Sequence, residues 1–167
     1  MRSMFKDIFF WISILLLCLT AVLFVASYYR WFNFGTVVGP YRLNHWLSWF
    51  GFLFIGIHVP LFITLKRRYV DKIRLLLGIH VVGNLLAFML ISIHFAHQIS
   101  RSSQFYPDLG TGLALYIIMP TLVLTGFLQR FGLITKYRKT WRFLHTSLVV
   151  SLFIILLVHI LHGIQLL

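Results

Sequence analysis

Residues 73–97 read IRLLLGIHVVGNLLAFMLISIHFAH, with one cation near the start, no acid, and histidines at positions 80, 94 and 97. About 20 helical residues cross the hydrocarbon core of a bilayer, so a run of this length and apolarity reads as a membrane span. It must be helical, because lipid offers no partner to an unpaired backbone amide or carbonyl. Working outward from it, further apolar runs occupy residues 8–27, 45–65, 111–128 and 143–166, with short polar or basic segments between them. The sequence therefore predicts an all-α membrane protein. It is a bundle of about five transmembrane helices with no soluble domain or internal linker, so residues 1–167 form one transmembrane domain.

Composition agrees with this reading. Of 167 residues 60% are apolar, and the mean hydropathy is +0.91. A soluble domain of this size leaves too much surface in water to carry such a composition, so the expected partner of most side chains is the lipid bilayer. The net charge of +12 comes from fifteen Lys and Arg set against three acids, Asp7, Asp71 and Asp108. These cations sit in the short segments between apolar runs, which is the pattern of membrane topology and excludes nucleic acid as a partner. If all five runs cross, twelve cations fall on one side. Arg2 and Lys6 precede the first span, five lie between spans two and three, and five lie between spans four and five. Only Arg30, Arg42 and Arg101 fall on the other side. The positive-inside rule then places the N-terminus in the cytoplasm and the C-terminus outside, in a multi-pass protein of the cell (plasma) membrane. The first run is longer than the apolar core of a signal peptide and is read as a retained helix. Cys18 lies inside it, has no second cysteine to form an internal disulfide with, and is read as a small apolar packing residue that says nothing of redox compartment.

The histidines carry the functional signal. An ionisable group in a span is costly and marks a pathway or cofactor site; the plain alternative is a neutral imidazole acting as a polar link between helices. Spacing favours the first reading for four of the eight. His80 and His94 are fourteen residues apart in span three, and His145 and His159 are fourteen apart in span five. Fourteen residues return within about 40° of the same helix face and rise about 21 Å. Spans three and five run in the same direction, so the repeats pair in register: His80 with His145 at an inner level, and His94 with His159 at an outer one. Two imidazoles at each level are the axial ligand set of a six-coordinate heme iron. Structural zinc needs about four N or S ligands around one point, which two histidines per level do not supply.

The remaining histidines have subordinate places. His97 and His162 each follow an outer ligand by three residues, about 60° around the helix. Each is thus an alternative ligand or a donor to a propionate or quinone oxygen. His45 and His58 are thirteen apart in span two, about 140° around a straight helix. Pro60 removes a backbone donor there and is expected to bend the span. His45, at the outer end, is the candidate for a role at the outer heme or a quinol site. Arg74 and Arg142 start their helices one or two turns before His80 and His145, where they suit heme propionates or serve as positive-inside anchors. Loop 98–110 is the expected outer docking surface. No acid lies within any span, which argues against a carboxylate proton relay.

These features resemble the ferric reductase-like transmembrane domain family. The resemblance runs from Arg74 through Gly78, His80 and Gly83 to His94, a His-x2-Gly-x10-His pattern, then through Trp141-Arg142-Phe143-Leu144-His145 to His159. It covers roughly residues 45–165. It implies an inner and an outer b-type heme on the four histidines, with Gly83 giving the porphyrin close access to the backbone. The chain carries no counterpart of the family's NADPH- and flavin-binding domain, so no flavin is expected in it, and it has five predicted spans where the family commonly has six. A second resemblance is to bacterial diheme and hydrogenase cytochromes b, on Arg42-Leu43-Asn44-His45-Trp46. It keeps His80 with His145 but implies His45 as the partner of His159.

The expected function is that of a diheme membrane cytochrome carrying electrons to an outer acceptor, with quinone as a candidate second cofactor. One alternative is a cytochrome b anchor that links the quinone pool to a separate soluble reductase, dehydrogenase or hydrogenase. Another is a heme or ion transporter. Each of the first two implies a redox partner protein or quinone.

Overall fold

The side chain of Asp7 accepts the Phe9 amide at 3.0 Å and starts the first helix, α1 (Ile8–Tyr28). A computed structural model describes residues 7–102, 110–133 and 136–164. Arg2, Lys6, Asp108 and most of loop 98–110 lie outside these residues. The described chain is all-α apart from one two-stranded hairpin, and its contacts divide it into two compact units, Met1–Ser102 and Ser103–Leu167.

The first unit holds α1, α2 (Leu43–Arg68) and α3 (Ile73–Ile99), with α3 packed against both of the others. Small residues set the close approaches. A Cβ at Gly78 of α3 would stand 2.6 Å from the Phe9 ring of α1, and a Cβ at Gly51 of α2 would stand 3.2 Å from the Ala87 carbonyl of α3. Ser13, Thr20 and Ser27 form a buried stripe along α1 at seven-residue intervals. Ser13 and Thr20 satisfy their hydroxyls on carbonyls of their own helix, whereas Ser27 donates across to the Ile93 carbonyl at 3.0 Å. Such interhelical links recur where lipid gives polar groups no other partner.

Between α1 and α2 the chain makes a hairpin of β1 (Val37–Val38) and β2 (Tyr41–Arg42), turning through Gly39 at φ 63°. This segment also caps α2. Arg42 offers no side-chain cap, and the first amides, Leu43 and Asn44, donate instead to the Thr36 and Phe34 carbonyls, each at 2.9 Å. The Trp46 indole fastens the hairpin to α2 by donating to the Val38 carbonyl at 2.8 Å. The α2 helix runs on through Pro60. A single 3₁₀ turn, Val70–Lys72, then leads into α3.

The second unit is an antiparallel pair, α4 (Gly110–Arg130) and α5 (Arg138–Gly163). The α4 helix ends on Gly132 at φ 69°. The Gly132 amide reaches the Gln129 carbonyl and the Leu133 amide reaches the Leu128 carbonyl, a glycine-dependent C-cap.

All five helices are long and apolar enough to cross a bilayer. Large apolar side chains are exposed along them, among them Leu15, Ile57, Ile79, Ile117 and Ile154. In water this surface would be heavily penalised; in hydrocarbon it faces a matching solvent. The chain is a multi-pass membrane protein. The helices overrun the apolar windows read from sequence chiefly at basic ends: α2 takes in Lys66–Arg68 and α5 begins at Arg138. Lys and Arg can place apolar stems along a helix while their charges reach the interface.

Candidate functional site: histidine layers

The first unit brings its histidines together in two cross-helix pairs. Where α2 approaches its C-terminal half, His58 stacks on His80 of α3 with ring centroids 5.5 Å apart and planes 10° from parallel. The His80 ring also lies on Phe62 at 4.1 Å, and the Asn84 amide nitrogen stands 3.1 Å from its Nε2 and 3.3 Å from its Nδ1. At the opposite end, His45 faces His94 at 5.5 Å. Thirteen residues on α2 are thus matched by fourteen, in reverse, on α3. The rotation expected between His45 and His58 does not keep either ring from α3.

Gly83 has a specific neighbour here. A Cβ on it would stand 2.9 Å from His58 Cε1 and 3.0 Å from Phe54 Cε1. The space that Gly83 opens beside α3 holds the His58 ring.

The end bearing His45 and His94 is polar and cationic. The Gln98 amide donates to His45 Nε2 at 3.2 Å, and Arg30 donates to the Ser100 carbonyl at 2.9 Å. His97 is buried against the 33–35 turn, and its Nδ1 has no partner among the described residues. Asn44 is fully buried, with neither amide atom partnered among the described residues. Burial and the neighbouring guanidinium groups of Arg42 and Arg30 hold Arg101 below the usual arginine range, though arginine keeps its proton in proteins.

The second unit places His145 and His159 on one face of α5 toward α4. The Thr125 hydroxyl oxygen is 2.9 Å from His145 Nδ1, and the Thr111 hydroxyl oxygen is 2.9 Å from His159 Nδ1. Each threonine is followed by a glycine over which the imidazole passes. A Cβ at Gly126 would stand 3.4 Å from His145 Cε1, and one at Gly112 would stand 3.3 Å from His159 Cε1. A step of fourteen along α4 therefore matches the step of fourteen along α5. The sequence reading missed Thr111, Gly112, Thr125 and Gly126, although the repeated Thr-Gly at the histidine spacing is visible in the sequence.

These contacts bear on whether the residues suit heme iron. A histidine ligand usually binds through one nitrogen while the other donates to an oxygen that fixes the ring. His94 Nδ1 lies 3.2 Å from the Asn44 carbonyl, which can only accept, so the proton is on Nδ1 and the lone pair on Nε2. His145 and His159 each have Nδ1 2.9 Å from a threonine hydroxyl oxygen, a group that can donate or accept. His80 differs in having an amide nitrogen beside it. That amide stands nearer Nε2 than Nδ1, so His80 does not repeat the Nδ1–oxygen contact of the other three. At His94 the contacts leave Nε2 to bind iron, and at His145 and His159 they are compatible with the same use. Among the described residues, no three His, Cys, Asp or Glu side chains gather as they would around a bare metal ion.

The alternative candidates stand apart from these contacts. His162 is exposed in the last turn of α5, and Arg74 and Arg142 are exposed near the starts of α3 and α5. Compared with protein-family models, with curated proteins and with solved structures, the chain matches none.

Proposed function

We propose that this chain is a diheme b-type cytochrome of the cell membrane, resembling the transmembrane part of ferric reductases, with its N-terminus in the cytoplasm. The observation that carries the reading is the double fourteen-residue repeat, His80/His94 and His145/His159, with three of the four imidazoles held at Nδ1 by an oxygen. One heme would be held by His80 with His145 and the other by His94 with His159. A b heme supplies an iron that takes up and gives up one electron between ferric and ferrous states. Polar partners on Nδ1 orient His94, His145 and His159, and the apolar helices keep their surroundings in a low dielectric. Arg30, Arg42 and Arg101 make the outer end cationic, which suits an anionic propionate, acceptor or partner surface. Electrons would enter from the cytoplasmic face or a quinone and leave to an outer acceptor or a partner reductase.

The test is a reduced-minus-oxidised absorption spectrum with heme-to-protein stoichiometry on chain expressed with ample heme. Two b hemes per chain are expected. A heme-free chain would overturn the reading and return the histidines to the role of polar links between helices.

A second reading is an anchor subunit joining the quinone pool to a separate soluble enzyme. It draws on Arg42-Leu43-Asn44-His45-Trp46 and on the contact of His45 with His94, which sets both candidate outer ligands at one level. Quinol oxidation only in the presence of a co-purifying soluble enzyme would favour it. Ferric reduction by the purified chain alone would count against it.

A further inference from the structure

We propose that Thr125 and Thr111 are positioning residues that set the tautomer of His145 and His159 and so aim Nε2 of each as an iron ligand. The inference rests on the diheme reading and goes beyond it by assigning a role to α4, a helix that contributes no ligand.

The argument is clearest at Thr125. Its hydroxyl has one hydrogen. The Thr121 carbonyl lies 2.8 Å from its oxygen and the Leu122 carbonyl 3.0 Å, and both can only accept. The hydrogen belongs to that pair of carbonyls, which leaves the oxygen's lone pairs for the remaining neighbour, His145 Nδ1 at 2.9 Å. A contact on a lone pair requires the proton on nitrogen. His145 is therefore protonated on Nδ1 when neutral, and Nε2 carries its lone pair. At Thr111 the contact itself is repeated, its oxygen standing 2.9 Å from His159 Nδ1, while the carbonyls one turn back fall outside the described residues.

The plain alternative is that each threonine is only a polar link between α4 and α5. The adjoining glycines bear on this. Gly126 and Gly112 let the imidazole edges pass within 3.3–3.4 Å of where a Cβ would lie, so hydroxyl and ring meet at two fixed points with the same local geometry. A link needs only a hydrogen bond; orienting a ligand needs the ring held at the bond and along its edge.

The test uses the full-length chain with threonine changed to valine or serine at each position. Valine keeps shape and methyl groups but removes the acceptor; serine keeps the acceptor but removes a methyl. The readouts are the rate at which heme is lost to apomyoglobin and the midpoint potential of each heme. Loss of an outer-shell partner typically costs 10–100-fold in metal affinity. Thr125→Val is expected to release one of the two hemes about 10–100-fold more readily and to raise its potential, since a less basic imidazole favours ferrous iron, while the other heme stays unchanged. Thr111→Val should do the same to the other heme. Serine at either position should stay near wild type. A serine variant as impaired as its valine counterpart, or valine variants with unchanged retention and potential, would overturn the proposal in favour of packing alone. If wild type holds no heme, the cytochrome reading fails separately. In that case ¹⁵N histidine NMR of the heme-free chain decides the proton placement. A Nδ1–H tautomer at His145 in wild type and Thr125→Ser but not in Thr125→Val sustains it, and any other pattern overturns it.

Discussion

The rings of His45 and His94 lie 5.5 Å apart between the start of α2 and the end of α3, and the Nδ1 proton of His94 is fixed by the carbonyl of Asn44, the residue before His45. The two histidines named by competing resemblances as the outer ligand are thus neighbours, held differently. His94 has Nδ1 on a carbonyl, as axial ligands commonly do. His45 Nε2 is occupied by the Gln98 amide. His94→Ala is expected to leave one heme per chain and His45→Ala to leave two, counted by pyridine hemochrome on purified protein. Loss of a heme only in His45→Ala would transfer the ligand role to His45.

Gly83 offers a test between two uses of one glycine. The resemblance gives its open side to a porphyrin, whereas its nearest neighbour is the His58 ring, 2.9 Å from where a Cβ would stand. Gly83→Ala should destabilise the chain by about 1–3 kcal/mol, the usual range for overpacking. If His58 is what the methyl group strikes, adding His58→Ala should recover most of that loss, a strong coupling in the double-mutant cycle. Additive effects in detergent unfolding, with heme loss in Gly83→Ala alone, would restore the porphyrin assignment.

The five spans were legible because an apolar run near 20 residues is among the strongest signals a sequence carries. Their ends were less so. A hydropathy reading closes α2 before Lys66 and opens α5 after Arg142, where the helices continue through the cations. The hairpin at Val37–Val38 and Tyr41–Arg42 escapes periodicity because two-residue strands have none. Of the candidate site, the histidine repeats were visible, but their partners were not. A hydroxyl in a membrane helix most often bonds the carbonyl one turn back, as those of Thr20, Thr121 and Thr146 do. Only packing distinguishes Thr125, which makes that bond and also meets His145.

The cation distribution makes a topological prediction. With twelve of fifteen Lys and Arg assigned to one side, reporters fused after positions 34 and 102 should be translocated, and those fused after 69 and 134 should remain in the cytoplasm. Alkaline phosphatase and fluorescent-protein fusions read the two outcomes in opposite senses. An inverted pattern would exchange the inner and outer levels of the proposed hemes and the direction of electron flow.

Two of the contacts between α1 and α3 differ in magnitude. The Ser27 hydroxyl donates to the Ile93 carbonyl at 3.0 Å, but hydrogen bonds between membrane helices average only about 0.6 kcal/mol, because the unfolded chain in lipid also finds partners. Gly78 sits under the Phe9 ring, three of whose atoms would lie 2.6–2.7 Å from an added Cβ. That ring is a rigid plane that cannot yield as the tip of a flexible chain would, so the whole contact has to open, at about 1–3 kcal/mol. Gly78→Ala should therefore destabilise the protein more than Ser27→Ala in SDS titration of the purified chain. Phe9→Ala combined with Gly78→Ala should recover part of the loss, since the clash is then gone. A larger effect from Ser27→Ala would mean that the hydrogen bond, and not the close approach at Gly78, holds α1 in place.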